Sequence, residues 1–203
     1  FQRPLDLGAD FVLHSGTKYL GGHNDVLAGF LVTNRDDYAE QLHFLHKTIG
    51  ACLSPFDCWL LSRGLKTLPL RMDRHAKSAL KIAQWLQLQP NVTHVYYPGL
   101  PDSPGYAITK EQASGFGGMI SFELDSEEAA VNILQHLKLI FFAESLGGAE
   151  SLMTYPLRQT HTDVPLEECL GKGINERLLR FSVGLEDVDD LIADLEQAFH
   201  AYE

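Results

Sequence analysis

Short apolar runs and amphipathic stretches alternate along the whole 203-residue chain, and that alternation constrains the fold more than any other feature. "DFVLHS" (10–15) reads as a short buried strand and "AGFLVT" (28–33) as a second strand beside it. "RDDYAEQLHFLHKTIG" is an amphipathic helix with acidic residues in its first turn and Gly50 near its end, as helix-end chemistry requires. Ser54 caps the next helix and Pro55 opens it. A break is expected around Gly64, then a long helix to about Leu88, with Pro69 tolerated near its start and Pro90 stopping it. "VTHVYYPG" is a strand, followed by a Pro/Gly-rich connection and the cleanly alternating strand "GGMISFEL". "SEEAAVNILQHLK" is a helix with a cap and an acidic first turn. "LIFFAES" and "ESLMTYP" read as strands, the segment through Glu168 as irregular, "RLLRFSVGLE" as strand and turn, and a last amphipathic helix begins at Asp187. The class is α/β or α+β, with no internal repeat. A helix as long as the one ending near Leu88 often bridges two domains, which places a boundary near residue 75.

Charge and cysteine content narrow the chemistry. A formal net charge of -11 argues against nucleic acid or an anionic membrane as partner. No apolar run approaches the roughly 18 residues of a membrane span, and the first residues lack a basic stretch followed by an apolar one, so neither membrane insertion nor secretion is expected. Three cysteines without CxxC spacing fit a reducing cytoplasm better than a disulfide scaffold or a zinc ribbon. Nine histidines include no HExxH; His43 and His46 stand one helical turn apart without a third ligand in that segment, so no metal is expected.

The loop between the first two strands, "HSGTKYLGGHND", is the richest in chemistry. An amine that joins an aldehyde cofactor must be partly unprotonated, and a phosphorylated cofactor needs hydroxyl and amide donors close to that amine. Ser15, Gly16 and Thr17 supply two hydroxyls and an unshielded amide directly before Lys18, and Gly21 and Gly22 permit a sharp turn after Tyr19. A P-loop is excluded, because neither the first glycine nor the hydroxyl after the lysine is present.

Asp10-Phe11, then Ser15-Gly16-Thr17-Lys18-Tyr19-Leu20, then Gly22-His23-Asn24 resembles the lysine signature of the Cys/Met-metabolism family of pyridoxal 5'-phosphate (PLP) enzymes. That family comprises cystathionine γ-synthases, cystathionine lyases, O-acylhomoserine sulfhydrylases and methionine γ-lyases. The resemblance implies that Lys18 forms the Schiff base with the cofactor, and that Ser15 and Thr17, with the Gly16 backbone between them, hold its phosphate. "AESLGGAESL" (143–152) and "LLRFSVGLEDVDDLIADLEQAF" (178–199) are similar to the family's C-terminal domain. There Arg180 falls where the family grips the substrate α-carboxylate. Independently, a guanidinium donates two parallel hydrogen bonds to a carboxylate, and Arg180 alternates with Leu179 and Phe181, so it faces away from them. The competing account pairs Arg180 with Glu186 or Asp187. Ser145 would line the same pocket. Glu144 is either a receiver for the distal ammonium of cystathionine or a strand-end carboxylate in solvent. Thr160-His161 matches a family dipeptide and is given a packing role.

The implied fold is PLP-dependent transferase-like, the aspartate aminotransferase fold type I. Residues 1–75 would be the C-terminal portion of the large PLP-binding domain and residues 76–203 the smaller C-terminal substrate-binding α+β domain. The implied activity is γ-replacement or γ-elimination on sulfur amino acids; a cystathionine β-lyase, an O-acylhomoserine sulfhydrylase or a non-catalytic assembly fragment are the alternatives. Family members are close to twice this length. The residues that the family carries upstream are missing here: an aspartate for the pyridinium nitrogen, a ring-stacking tyrosine and a Tyr/Arg pair lent to the neighbouring subunit. The expectation is a polypeptide inactive alone, partnered by the missing N-terminal half of the same enzyme within a homotetramer, and acting on a small amino-acid substrate.

Overall fold

A computed structural model describes residues 1–201. After a 3-10 turn at Pro4–Leu7, strands β1 (Val12–Ser15) and β2 (Gly29–Val32) pair antiparallel, Val12 opposite Val32 and Ser15 opposite Gly29. The two apolar runs are therefore partners, but the burial expected of the first is not found. Val12 is buried, whereas Leu13 is 77% exposed and Leu31 51% exposed. A two-stranded ribbon shelters too little surface to bury both of its faces.

Helices α1 (Asp36–Ile49), α2 (Pro55–Leu65) and α3 (Leu68–Leu86) follow. Gly50 ends α1 in the left-handed conformation at φ +75°, and Ser54 Oγ accepts the amide of Asp57 at 3.1 Å to cap α2. The break expected at Gly64 lies slightly later, at Lys66 and Thr67; Gly64 itself is inside α2 and buried.

The remaining chain forms β3 (Val92–Tyr96), α4 (Tyr106–Gln112), β4 (Met119–Leu124), α5 (Glu127–His136), β5 (Phe141–Phe142), β6 (Leu152–Thr154), α6 (Leu166–Gly171), β7 (Leu178–Ser182) and α7 (Val188–His200). Helices α4 and α6 occupy the segments read as a connection and as irregular, and β5 is much shorter than the strand read there. Elements of two to seven residues show too few periods to announce themselves.

The five strands form one sheet in the order β3-β4-β7-β6-β5, antiparallel except for the parallel β5–β6 pair. Alternation sorts its faces. Ile120, Phe122, Met153, Leu179 and Phe181 point to one side, where Ile82 and Leu86 of α3, Ile133 of α5 and Leu191 and Leu195 of α7 complete a fully buried core. Each such side chain contributes roughly 1.5–3 kcal/mol by leaving water. On the opposite face the register sets Ser121, Arg180 and Thr154 in one row. The core fixes the sheet and so fixes where that polar row points.

Among the described residues no helix is long and apolar enough to cross a membrane, and no cluster of His, Cys, Asp or Glu suits a metal ion. Cys52 and Cys58 are exposed free thiols, and Cys169 is a buried one.

Candidate active site

Strand β1 runs directly into a single π-type turn at Gly16–Leu20. The turn is closed by Gly21 N–H donating to Gly16 O at 3.0 Å and Gly22 N–H to Lys18 O at 2.8 Å. Lys18 departs from helical geometry at φ −99°, ψ −131°. Gly16 is required by contact, because a Cβ there would lie 2.8 Å from the Ala28 methyl. Its amide donates to Ala28 O at 2.8 Å, so it is engaged within the fold. Thr17 Oγ1 accepts the Ala28 amide at 3.0 Å and donates to Ala28 O at 3.3 Å, a long bond that an anion would have to displace to receive this proton. Ser15 is exposed, and its hydroxyl makes no capping bond to the turn. The hydroxyls that could turn to an anion beside Lys18 are thus Ser15, which makes no capping bond, and Thr17, by giving up its long bond to Ala28 O.

The loop after β5 comes to meet this turn. Lys18 Nζ donates to Ser145 Oγ at 2.9 Å, across 127 positions of sequence. Ser145 holds φ +87°, and Gly147 φ +76°; a Cβ on Gly147 would fall 2.7 Å from Tyr19 N, so the loop packs on the lysine turn only because that side chain is absent. Arg180 Nη2 donates to Ser145 O at 3.4 Å and to Thr154 Oγ1 at 3.2 Å, while Thr154 Oγ1 donates to Ala143 O at 2.9 Å. Lys18, Ser145 and Arg180 are therefore brought together, with the serine between amine and guanidinium.

Neither acidic partner considered for Arg180 pairs with it. Glu186 accepts from Ser151 N at 2.7 Å and from Ser151 Oγ at 2.8 Å, and Asp187 lies 3.7 Å from Arg74. Arg180 Nε is buried without a hydrogen-bond partner. Burial pushes its guanidinium pKa down, and the charge of Glu144 opposes that shift. A guanidinium held by neutral oxygens with a buried donor unspent has the donors that a carboxylate can accept from. Glu144 and Ser145 line a cleft of about 510 Å³ together with Thr17, Asn24 and Asp25.

Further contacts lock the two loops. Asn24, at φ +55°, donates through Nδ2 to Glu150 at 2.9 Å, and Ser182 Oγ accepts the Gly147 amide at 2.9 Å. Burial raises the Tyr19 phenol to about 12, so it stays protonated at neutral pH. Thr160 and His161 bond to each other at 2.8 Å in a turn after β6. Sequence reasoning missed Thr154, whose place beside Arg180 depends on strand register, and the Asn24–Glu150 link.

The family model for the Cys/Met metabolism PLP-dependent enzymes matches residues 1–200. A cystathionine gamma-lyase of Bacillus subtilis is 52% identical over 198 residues, covering 98% of this chain and 52% of that protein. A cystathionine beta-lyase of Lactococcus lactis is 50% identical over 97% of this chain and 52% of its own length. The crystal structure of cystathionine gamma-lyase from Lactobacillus plantarum complexed with L-serine superposes with a TM-score of 0.96 at 48% identity, covering 99% of this chain and 53% of that one. The chain spans about half the length of the relatives it matches.

Proposed function

This chain belongs to the Cys/Met metabolism family of PLP-dependent enzymes, and from that premise we propose that it carries the cofactor lysine and the substrate-carboxylate arginine of a cystathionine γ-synthase or γ-lyase-like enzyme. The observation that carries the reading is the single serine shared by both groups, with Lys18 Nζ 2.9 Å from Ser145 Oγ and Arg180 Nη2 3.4 Å from Ser145 O. The donor set fits the cofactor: an amine that has no carboxylate partner among the described residues stands beside the exposed Ser15 hydroxyl and the Thr17 hydroxyl, whose bond to Ala28 O is long enough at 3.3 Å to yield to a phosphate.

When bound, the cofactor supplies an aldehyde and an electron-withdrawing ring. Lys18 Nζ would hold the cofactor's aldehyde and, as a free amine, would be the base that takes the substrate α proton. Ser145 Oγ keeps that nitrogen in place when it is free. The Arg180 guanidinium would hold the α-carboxylate and so orient the substrate. Ser15 and Thr17 would grip the phosphate, and Glu144, which lines the same cleft as Thr17, would receive a distal ammonium. The exposed apolar side chains of β1, β2 and α1, including Leu13, Leu31 and Phe44, support assembly with further polypeptide: the portion of the relatives that this chain does not span, and neighbouring subunits of a tetramer.

A β-lyase is the second reading, because the Lactococcus lactis β-lyase matches almost as well as the Bacillus subtilis γ-lyase, 50% against 52%. Cystathionine cleaved at Cγ yields 2-oxobutanoate and cleaved at Cβ yields pyruvate, so the oxo acid distinguishes them; turnover of O-acylhomoserine instead marks the replacement reaction. The direct test of the site is incubation with PLP, borohydride reduction and peptide mass spectrometry. A pyridoxyl phosphate mass on Lys18 is expected. Label spread over the exposed lysines with none preferred overturns the reading.

A further inference from the structure

We propose that Arg71 is a positioning residue that sets the backbone of the lysine turn, a role that rests on the reading of Lys18 as the reactive amine. Arg71 lies in the first turns of α3 and is only 5% exposed. Its hydrogen-bond partners are neutral oxygens: Nη1 donates to Tyr19 O at 2.7 Å, Nη2 to Gly64 O at 2.8 Å and Leu20 O at 3.4 Å, and Nε to Thr67 Oγ1 at 3.0 Å. A buried cation without an anion is costly, so its presence calls for a reason other than an ion pair.

The turn supplies that reason. Its closing bonds use the carbonyls of Gly16 and Lys18, and among the described residues no backbone amide donates to the carbonyls of Tyr19 or Leu20, the two that follow the reactive lysine. Buried carbonyls need donors. One planar guanidinium reaches both, together with the carbonyl of Gly64 near the end of α2, and thereby fastens the lysine turn, α2 and α3 at one point. Two glycines make the room. A Cβ on Gly22, at φ +74°, would fall 2.1 Å from Arg71 Nη1, and one on Gly64 would fall 2.3 Å from Gly21 O. Space has been cleared for the guanidinium on one side of the turn and for α2 on the other.

The test compares the full chain with Arg71→Met, Arg71→Lys and Thr67→Val, the last removing the acceptor of Nε together with the Thr67 hydroxyl's own bond to Gly64 O at 3.2 Å, at the end of α2 and away from the Gly21 and Gly22 amides. Hydrogen exchange at the Gly21 and Gly22 amides reports the turn, and exchange in β4 and β7 reports the fold. In parallel, PLP trapping by borohydride is measured at Lys18 relative to the exposed Lys47. Arg71→Met is expected to accelerate exchange at Gly21 and Gly22 about tenfold, the effect of one lost hydrogen bond, with β4 and β7 unchanged, and to lower relative trapping at Lys18 by a similar factor. Arg71→Lys, which keeps charge but not the fork, falls between. Unchanged exchange at the two glycines, or acceleration shared equally by β4 and β7, overturns the proposal. Should Arg71→Met fail to fold, Thr67→Val decides: a twofold to threefold acceleration confined to the turn supports the proposal, and none overturns it. Absence of trapping at wild-type Lys18 refutes the reactive-lysine reading instead, while the exchange measurement still decides whether Arg71 holds the turn.

Discussion

At position 180 stability and chemistry pull apart. The guanidinium is half-buried and, among the described residues, donates only to Ser145 O and Thr154 Oγ1 and leaves Nε without a partner. Keeping a cation so poorly paired away from water costs free energy that a carboxylate ligand would return. Arg180→Met, which fills similar volume without charge, is expected to raise the unfolding free energy of the ligand-free chain by about 1 kcal/mol, modest because solvent still reaches part of the group. The same change should abolish any rise in melting temperature on adding cystathionine. Paired thermal melts check both halves, and a variant that melts lower and still responds to ligand would contradict the account. Lys18 and Arg180 could be singled out as candidates in the sequence because each lies in a local motif, and the structure brings both to Ser145. Thr154 and Arg71 could not be singled out. Thr154 stands 26 positions from Arg180, and Arg71 stands 52 positions from Tyr19, so nothing local marks them.

Among the elements, legibility follows length. The 14 residues of α1 and the 19 of α3 show enough turns for their apolar spacing to be read, and caps such as Ser54, Ser126 and Asp187 mark where helices begin. The six residues of α6 do not. Gly64 shows how a correct observation takes on another meaning once packing is known. Read as a breaker, it is instead an interior helix residue chosen for close approach, since a methyl there would meet Gly21 O at 2.3 Å and Leu20 O at 3.1 Å. Gly64→Ala would improve helix propensity by about 1 kcal/mol, yet it must push α2 off the lysine turn. Overpacking against backbone costs about 1–3 kcal/mol. The expected net effect is a destabilisation of up to about 2 kcal/mol, measured by urea denaturation, accompanied by reduced trapping of PLP at Lys18. A variant more stable than wild type would show that α2 and the turn are free to separate.

For the molecule as a whole, the lysine turn is seated against the sheet through one aromatic pair, and that pair sets a pH window. Tyr19 and His75 contact edge to face with ring centroids 5.3 Å apart, and His75 Nδ1 lies 2.7 Å from Val183 O just beyond β7, the geometry of an N–H donating to a carbonyl. His75 Nε2 and Tyr19 Oη are both buried without partners, so both side chains are held neutral. Burial raises the Tyr19 phenol from 10.0 to about 12 and lowers the His75 imidazole from 6.5. The signs are opposite. Below pH 10 the phenol is protonated in both folded and unfolded chains. Between 10 and about 12 the unfolded chain releases its proton first, and stability is lost. For His75 stability is intact above 6.5 and falls as the unfolded chain takes up a proton that the folded one resists. The Tyr19 contribution is about 2–3 kcal/mol, one pKa unit being about 1.4 kcal/mol. Urea midpoints across this range should therefore form a plateau between pH 6.5 and 10 with a falling limb on each side. Tyr19→Phe removes a hydroxyl that makes no well-formed hydrogen bond, with only weak contributions from Gly118 and Ser182, so it should cost little at neutral pH and flatten the alkaline limb. Burial also raises Tyr97, which keeps some of that limb in the variant. An alkaline limb unchanged by Tyr19→Phe would mean that the lysine turn leaves the sheet by a route that does not involve this ring. Trapping of PLP at Lys18, followed over the same pH range, would then decline at a pH unrelated to unfolding rather than together with it.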